Sequence, residues 1–232
     1  MTATAGLCEI ILDEPENDKR QTIMATVLNP PEQRVTLHNV RWETYERLLA
    51  DLRDSSAPRL TYDRGTLEIM SPSSEHERYN RTTAQIVEEL AVEMDINIDS
   101  LGSTTFRRED LDRGFEPDSC FYIRNAPGVR GKKRIDLSSD PPPDLVVEID
   151  ITSPSLAKLP IFAKAGVPEV WRFDGRRLAI YELVGDEYLE RDASVAFPVV
   201  TAADITAFIR DSETMERPEW VRKLRAWARA LK

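Results

Sequence analysis

Apolar positions along this chain change their period several times, and each change marks an expected element. Trp42, Tyr45, Leu48, Leu49 and Leu52 recur three and four residues apart and predict a first amphipathic helix over 41–52. Two short strands follow over 59–70, around a glycine-bearing turn at Asp63-Arg64-Gly65. Ser71-Pro72-Ser73-Ser74 then opens a long helix. Serine is a good N-cap, and Glu77 stands three residues after Ser74, the spacing of a capping box. Tyr79, Ile86, Val87, Leu90 and Met94 make the apolar face of that helix.

Strands are expected near 98–106 and 115–123. Residues 124–143, rich in Pro, Gly, Lys and Asp, read as an exposed excursion. Leu145 to Ile151 is almost continuously apolar, as in a strand buried on both faces. Pro160 suits the first turn of a short helix that stops at Gly166. Further strands are expected at 169–173, 178–183 and 187–191, then helices at 202–210 and 218–231. The last helix carries Trp220, Val221, Leu224, Trp227 and Leu231 on one face, which packs on the body or on a second subunit. The expected organisation is a loosely ordered acidic arm at 1–30, one domain at 31–212 and a C-terminal helix at 213–232.

Composition narrows the classes. A chain of 232 residues with 41% hydrophobic content can bury one sizeable core. No apolar run approaches the roughly 20 residues that cross a bilayer. The N-terminus lacks the basic and long apolar regions of a secretory signal, so a cytoplasmic location is expected. Cys8 and Cys120 make no disulfide framework. The net charge of −10 is the main evidence against a nucleic-acid partner, although an acidic total leaves room for a local basic groove. Positive charge is concentrated only at Arg107-Arg108, at Arg130-Gly131-Lys132-Lys133-Arg134 and over 217–232.

The candidate chemistry lies in carboxylates. Glu148 and Asp150 end the buried strand, Lys158 follows a turn later, and Asp118 opens an aromatic-rich strand. Hard divalent cations take oxygen ligands, and Mg²⁺ on carboxylates both activates water and stabilises charge on phosphate. Asp118 and Glu148 are the best pair, with the Ile149 carbonyl as a third ligand and Lys158 orienting water or neutralising phosphate. Against this, acids at strand ends are usually solvated, and Pro-Asp is a frequent turn pair. An apolar strand that ends in Glu-Ile-Asp is less easily dismissed, because clustered buried carboxylates require a compensating cation.

Several stretches together resemble a known family: Trp42-Glu43-Thr44-Tyr45-Glu46, Leu67 to His76, Glu116-Pro117-Asp118, Pro143 to Ile149, Ser153-Pro154-Ser155, and Ala165 to Asp174. In this order they are similar to the PD-(D/E)XK nuclease superfamily, and specifically to the bacterial Uma family of restriction-endonuclease-like proteins. The resemblance implies an α/β fold, a mixed sheet flanked by helices, and a metal-dependent nuclease site. By position, Asp118 matches the PD acid, Glu148 the (D/E) acid and Glu75 the acid often found on the preceding helix. The lysine expected two residues after Glu148 is replaced by Asp150. Lys158, ahead of Phe162 and Gly166-Val167, matches a lysine the family carries further on, and Lys164 is the fallback.

The expectation is therefore a Mg²⁺- or Mn²⁺-dependent DNA endonuclease. Asp118, Glu148 and Glu75 would hold metal, with Lys158 assisting. Asp150 is a further ligand or a partner for Lys158. His76 is a ligand, a proton shuttle or a surface residue. A homodimer would let two sites cut two strands. The competing expectation is a nuclease-fold module that has lost catalysis and serves binding or assembly.

Overall fold

The computed structural model describes residues 33–52, 58–152 and 156–232 together with two earlier strands. Those two, β1 (Gly6–Ile10) and β2 (Ile23–Val27), pair antiparallel. The remainder of the expected acidic arm lies outside the described residues. Next come β3 (Gln33–Leu37), α1 (Trp42–Asp51), β4 (Arg59–Asp63), β5 (Thr66–Ser71) and α2 (Ser74–Glu93). The middle of the chain forms β6 (Asp99–Gly102), β7 (Phe106–Arg108), a turn of 3₁₀-helix, β8 (Arg113–Phe115), β9 (Ser119–Tyr122) and α3 (Ala126–Val129). The last part holds β10 (Leu145–Ile149), α4 (Leu159–Ala165), β11 (Glu169–Phe173), β12 (Leu178–Val184), β13 (Glu187–Arg191), α5 (Ala202–Asp211) and α6 (Arg217–Ala230).

Local chemistry accounts for the boundaries. Arg64 and Gly65 both have positive φ, 45° and 89°, which suits the tight two-residue turn joining β4 to β5. The cap of α2 is Ser73, whose Oγ accepts from the His76 N–H at 3.1 Å. The cap expected at Ser74 thus stands one residue earlier, the capping box expected from Ser74 and Glu77 does not form, and Glu77 faces a different partner. Pro160 sits in the first turn of α4, and Gly166 ends the helix at φ 78°.

Two sheets result. The larger has the order β13-β12-β11-β10-β9-β6, the smaller β3-β5-β4-β8-β7. Within them only β10 and β11 are parallel. The expected strands at 98–106 and 115–123 each divide in two, because the chain crosses between sheets. It leaves the large sheet after β6, forms β7 and β8 in the small one, and returns at β9. Pro117 lies at the second crossing, where the missing N–H does no harm because no ladder runs through it.

Every residue of β10 is buried. Leu145, Val147 and Ile149 join the core formed with α2, α5 and α6, and Val146 joins the second core beside α4. Alternation therefore puts Glu148 on the α4 side of the sheet. The expected exposed excursion is partly a packed one, since Ala126, Val129 and Leu137 are buried. Helix α6 packs on α2 through buried Trp220, Leu224 and Ala228. Arg225 and Arg229 fasten it to Glu89 and Glu93 at 2.7 and 2.6 Å.

Gly114 lies directly beneath Tyr45, where a Cβ would come within 2.6 Å of the ring's Cε1 and Cζ. Tyr45 is wholly buried and stacks on Tyr62, 5.1 Å between ring centroids, so it has little freedom to move away. Gly114→Ala should therefore destabilise the fold by about 1–3 kcal/mol, as overpacking does. Urea unfolding followed by tryptophan fluorescence will measure it, and an unchanged midpoint would refute this packing.

Candidate active site

Antiparallel register brings the two leading acids together. Val147 faces Ser119, Val146 faces Cys120 and Leu145 faces Phe121. One step further along the same register, Glu148 stands opposite Asp118, at the point where the chain re-enters the large sheet. The Ile149 N–H donates to Asp118 Oδ2 at 2.7 Å, so the acid itself continues the pairing where the strand has ended. Asn80 of α2 secures this turn: its Nδ2 donates to the Asp118 carbonyl at 3.1 Å, and its Oδ1 accepts from Ser119 at 2.8 Å.

Both acids are buried, Asp118 1% and Glu148 2% exposed, and each is matched by a cation. Lys158 Nζ lies 2.6 Å from Glu148 Oε2. The lysine is carried at the N-terminal boundary of α4, on the face of the sheet that Glu148 occupies. Asp118 Oδ1 is ion-paired with Arg59 of β4, whose other terminal nitrogen meets Glu77 Oε1 at 2.5 Å. Burial pushes the Glu148 carboxyl above its ordinary range, opposed first by the Lys158 charge and reinforced by Asp150.

His76, fully buried, places Nε2 3.2 Å from Asp118 Oδ2. Burial, with the charges of Arg59, Lys158 and Arg34, lowers its pKa to about 3. It is therefore neutral near pH 7 and acts as a polar support for Asp118, not as a surface residue. Glu75, its neighbour, is exposed and borders a separate depression with Ser73, Ile151, Thr152 and Asp174, at the end of β10. Glu77 is the acid of that turn which Arg59 ties to Asp118. Asp150 has no contact with Lys158 among those observed. Arg172 meets it at 2.7 Å and Arg34 at 3.5 Å, and Arg34 also pairs with buried Glu68 at 3.0 Å. Lys164 is exposed and meets Asp186 at 3.2 Å.

Several residues that matter here gave no sign in the sequence. Arg34, Arg59, Glu68 and Asn80 are far from Asp118 and Glu148 along the chain. The only available signal was general: a buried acid demands a cation, without saying which one. The second Pro-Asp pair has a structural task. Asp144 Oδ2 accepts from the N–H groups of Ile123 and Asn125 at 2.6 and 2.9 Å, closing the turn after β9. Glu116 likewise ties the sheets, accepting from the Leu60 N–H at 2.9 Å and the Thr105 hydroxyl at 2.5 Å. Glu169 accepts from Trp171 Nε1 at 2.6 Å and the Ala196 N–H at 2.7 Å, so both belong to the core.

The site was tested for its fit to a divalent cation. Among the described residues, no three His, Cys, Asp or Glu side chains form a ready metal cage, so Glu75 does not close one with Asp118 and Glu148. Mg²⁺, however, is commonly held by one or two carboxylates with water and substrate phosphate completing its shell. Among the described residues, buried Glu148 Oε1 has no hydrogen-bond donor, an arrangement that is costly unless a positive group completes it. The donor set of Asp118 and Glu148 fits a hard cation of that kind.

Comparison with known proteins places the chain. No curated protein matches it. Among solved structures it is similar to "a putative nuclease belonging to DUF820" from Anabaena variabilis ATCC 29413, with 14% identity and a TM-score of 0.47. That likeness covers 66% of this chain and 92% of the other. The family model Uma2, described as "Putative restriction endonuclease", matches residues 42–209, a span that takes in every strand and helix from α1 to β13 and both acids of the site. The chain belongs to the Uma2 family.

Proposed function

We propose that this protein is a metal-dependent endonuclease that hydrolyses DNA phosphodiester bonds with Mg²⁺ or Mn²⁺. The observation that carries the reading is the buried pair Asp118 and Glu148, opposite one another on neighbouring strands, with Lys158 2.6 Å from one of them. Asp118 and Glu148 would hold the cation, and Glu148 Oε1 is the oxygen still lacking a donor. When bound, such a cation supplies hydroxide near neutral pH and a Lewis acid for the charge on phosphate.

The chain's own residues contribute position and charge. Lys158 holds an ammonium beside Glu148, where it can meet a phosphate oxygen or orient a water. Arg59 keeps Asp118 compensated and ties it to α2 through Glu77. Neutral His76 and the Ile149 N–H fix the direction of the Asp118 carboxylate, leaving little reorganisation for the moment of reaction. Glu75, exposed on the first turn of α2, borders the separate depression at the end of β10 and would reach a bound cation only through water or substrate.

Glu148→Gln retains an acceptor for Lys158, and Asp118→Asn retains one for the Ile149 N–H. Both should fold and should lose metal-dependent nicking of supercoiled plasmid by a factor of about 100 or more. Asp118→Ala is a poorer probe, since it leaves buried Arg59 with Glu77 alone and removes the acceptor of the Ile149 N–H. Nicking at the wild-type rate in both conservative variants would refute the assignment.

The competing reading, a binding or assembly module without catalysis, is favoured by one observation: Arg59 and Lys158 already compensate both acids internally. Calorimetric titration with Mn²⁺ separates the two. Heat of binding that disappears in Glu148→Gln supports the nuclease, whereas a folded wild-type protein that takes up no ion supports the module.

His76 also makes a prediction about acid. Its folded pKa lies below its unfolded value near 6.5, so between about 6.5 and 3 the unfolded chain binds a proton that the folded chain refuses. Its contribution to stability is complete above about pH 6.5 and is lost as the pH falls through that window. The urea midpoint of wild type should fall more steeply from pH 6.5 to 4 than that of His76→Gln. Parallel curves would count against a buried neutral histidine.

A further inference from the structure

Glu148 and Lys158 are almost closed to solvent, 2% and 9% exposed, yet both line one cavity of about 610 Å³ on the α4 side of the large sheet. Its volume lies in the range of sites that engulf a small ligand. Leu156, Leu159, Pro160 and Phe162 form the wall along α4, and Val170 and Tyr188 the wall along the sheet. The Tyr188 hydroxyl donates to the Val167 carbonyl at 2.7 Å, so its ring is fixed. Asp186 and Glu187, both exposed, stand among the lining residues where β12 turns into β13.

These features select among the parts of a nucleic acid. A phosphate can meet Lys158 only if the nucleotide that carries it enters this cavity or lies across its mouth. The apolar wall and the fixed tyrosine ring suit the flat face of a base, as stacking surfaces for unpaired bases do. Glu187 would repel a second phosphate backbone but can accept from the amino groups at a base edge, while Asp186 beside it is paired with Lys164. A base inside a duplex is stacked and paired, and reaches such a cavity only by being flipped out.

Resting on the nuclease reading for the role of Glu148 and Lys158, we propose that this cavity is a subsite for one unpaired nucleobase. The preferred substrate is then single-stranded nucleic acid, or a strand locally opened at a loop or end, and intact duplex is a poor one. The base enters between α4 and Tyr188, and its phosphate remains at Lys158.

The experiment is fluorescence anisotropy of a labelled mixed-sequence 12-mer, single-stranded and in duplex, with the full-length protein in EDTA and in Ca²⁺. Ala157→Trp fills the mouth from an exposed loop position, and Glu187→Trp does so from the opposite strand, with circular dichroism confirming that both fold. The wild type should bind the single strand at least about tenfold more tightly than duplex, a difference within the stacking contribution of one base. Either tryptophan should abolish the difference while leaving duplex affinity unchanged. Equal affinity for both forms, or a preference that survives both variants, overturns the subsite. If the preference is absent while wild type still nicks plasmid, the nuclease reading stands and the subsite falls. If the preference is present and lost in the variants, yet no metal supports cleavage, the subsite stands and the nuclease reading falls.

Discussion

Removing carboxylates from water is expensive, and much of this structure is arranged around meeting that cost. Glu148 and Asp118 are each withdrawn into the protein, and each is met by one basic side chain delivered from another element. Lys158 requires the short helix α4 to start where it does, and Arg59 requires the small sheet to press against the end of the large one. A third charge network, Glu68 with Arg34 and Asp150 with Arg34 and Arg172, runs beside the first two and crosses the same boundary. Truncating one member of such a pair is worse than never having had it, because the partner remains buried without compensation. Ion pairs as well as apolar contacts therefore join the two sheets.

Such an arrangement leaves little positive charge unanswered in this acidic chain. The basic concentrations along the chain are largely answered by neighbours: Arg107 by Glu46, Arg108 by Asp110, Arg225 and Arg229 by acids of α2. The cations at the end of β10, Arg34, Arg59, Lys158 and Arg172, come singly from several elements and are likewise each paired with an acid. A sum over the sequence gives no hint of that grouping, because its members are spread along the chain.

Elements were more legible than their assembly. Uniform apolar character announced β10, proline and glycine bracketed α4, and the periodicity of α2 identified the face that meets the core. The strands around Asp118 were read as longer and fewer than they are, because apolar residues on either side of a crossing look continuous. Glu116-Pro117-Asp118 was visible as a motif, but its place as the seam between sheets depends on pairings with β4 and β10. The candidate pair Asp118 and Glu148, with Lys158, was readable from residue types and family likeness. Arg59, Asn80 and the buried state of His76 were not, since nothing within their own windows of sequence sets them apart from surface polar residues.

Asp150 occupies the place where the wider superfamily carries a lysine, and here that place has been taken over by a brace between Arg34 and Arg172. A lysine at position 150 would arrive beside two guanidinium groups that had lost the acid they share. The brace therefore ties three positions into one constraint: a positive side chain fits at position 150 only where Arg34 and Arg172 are replaced as well.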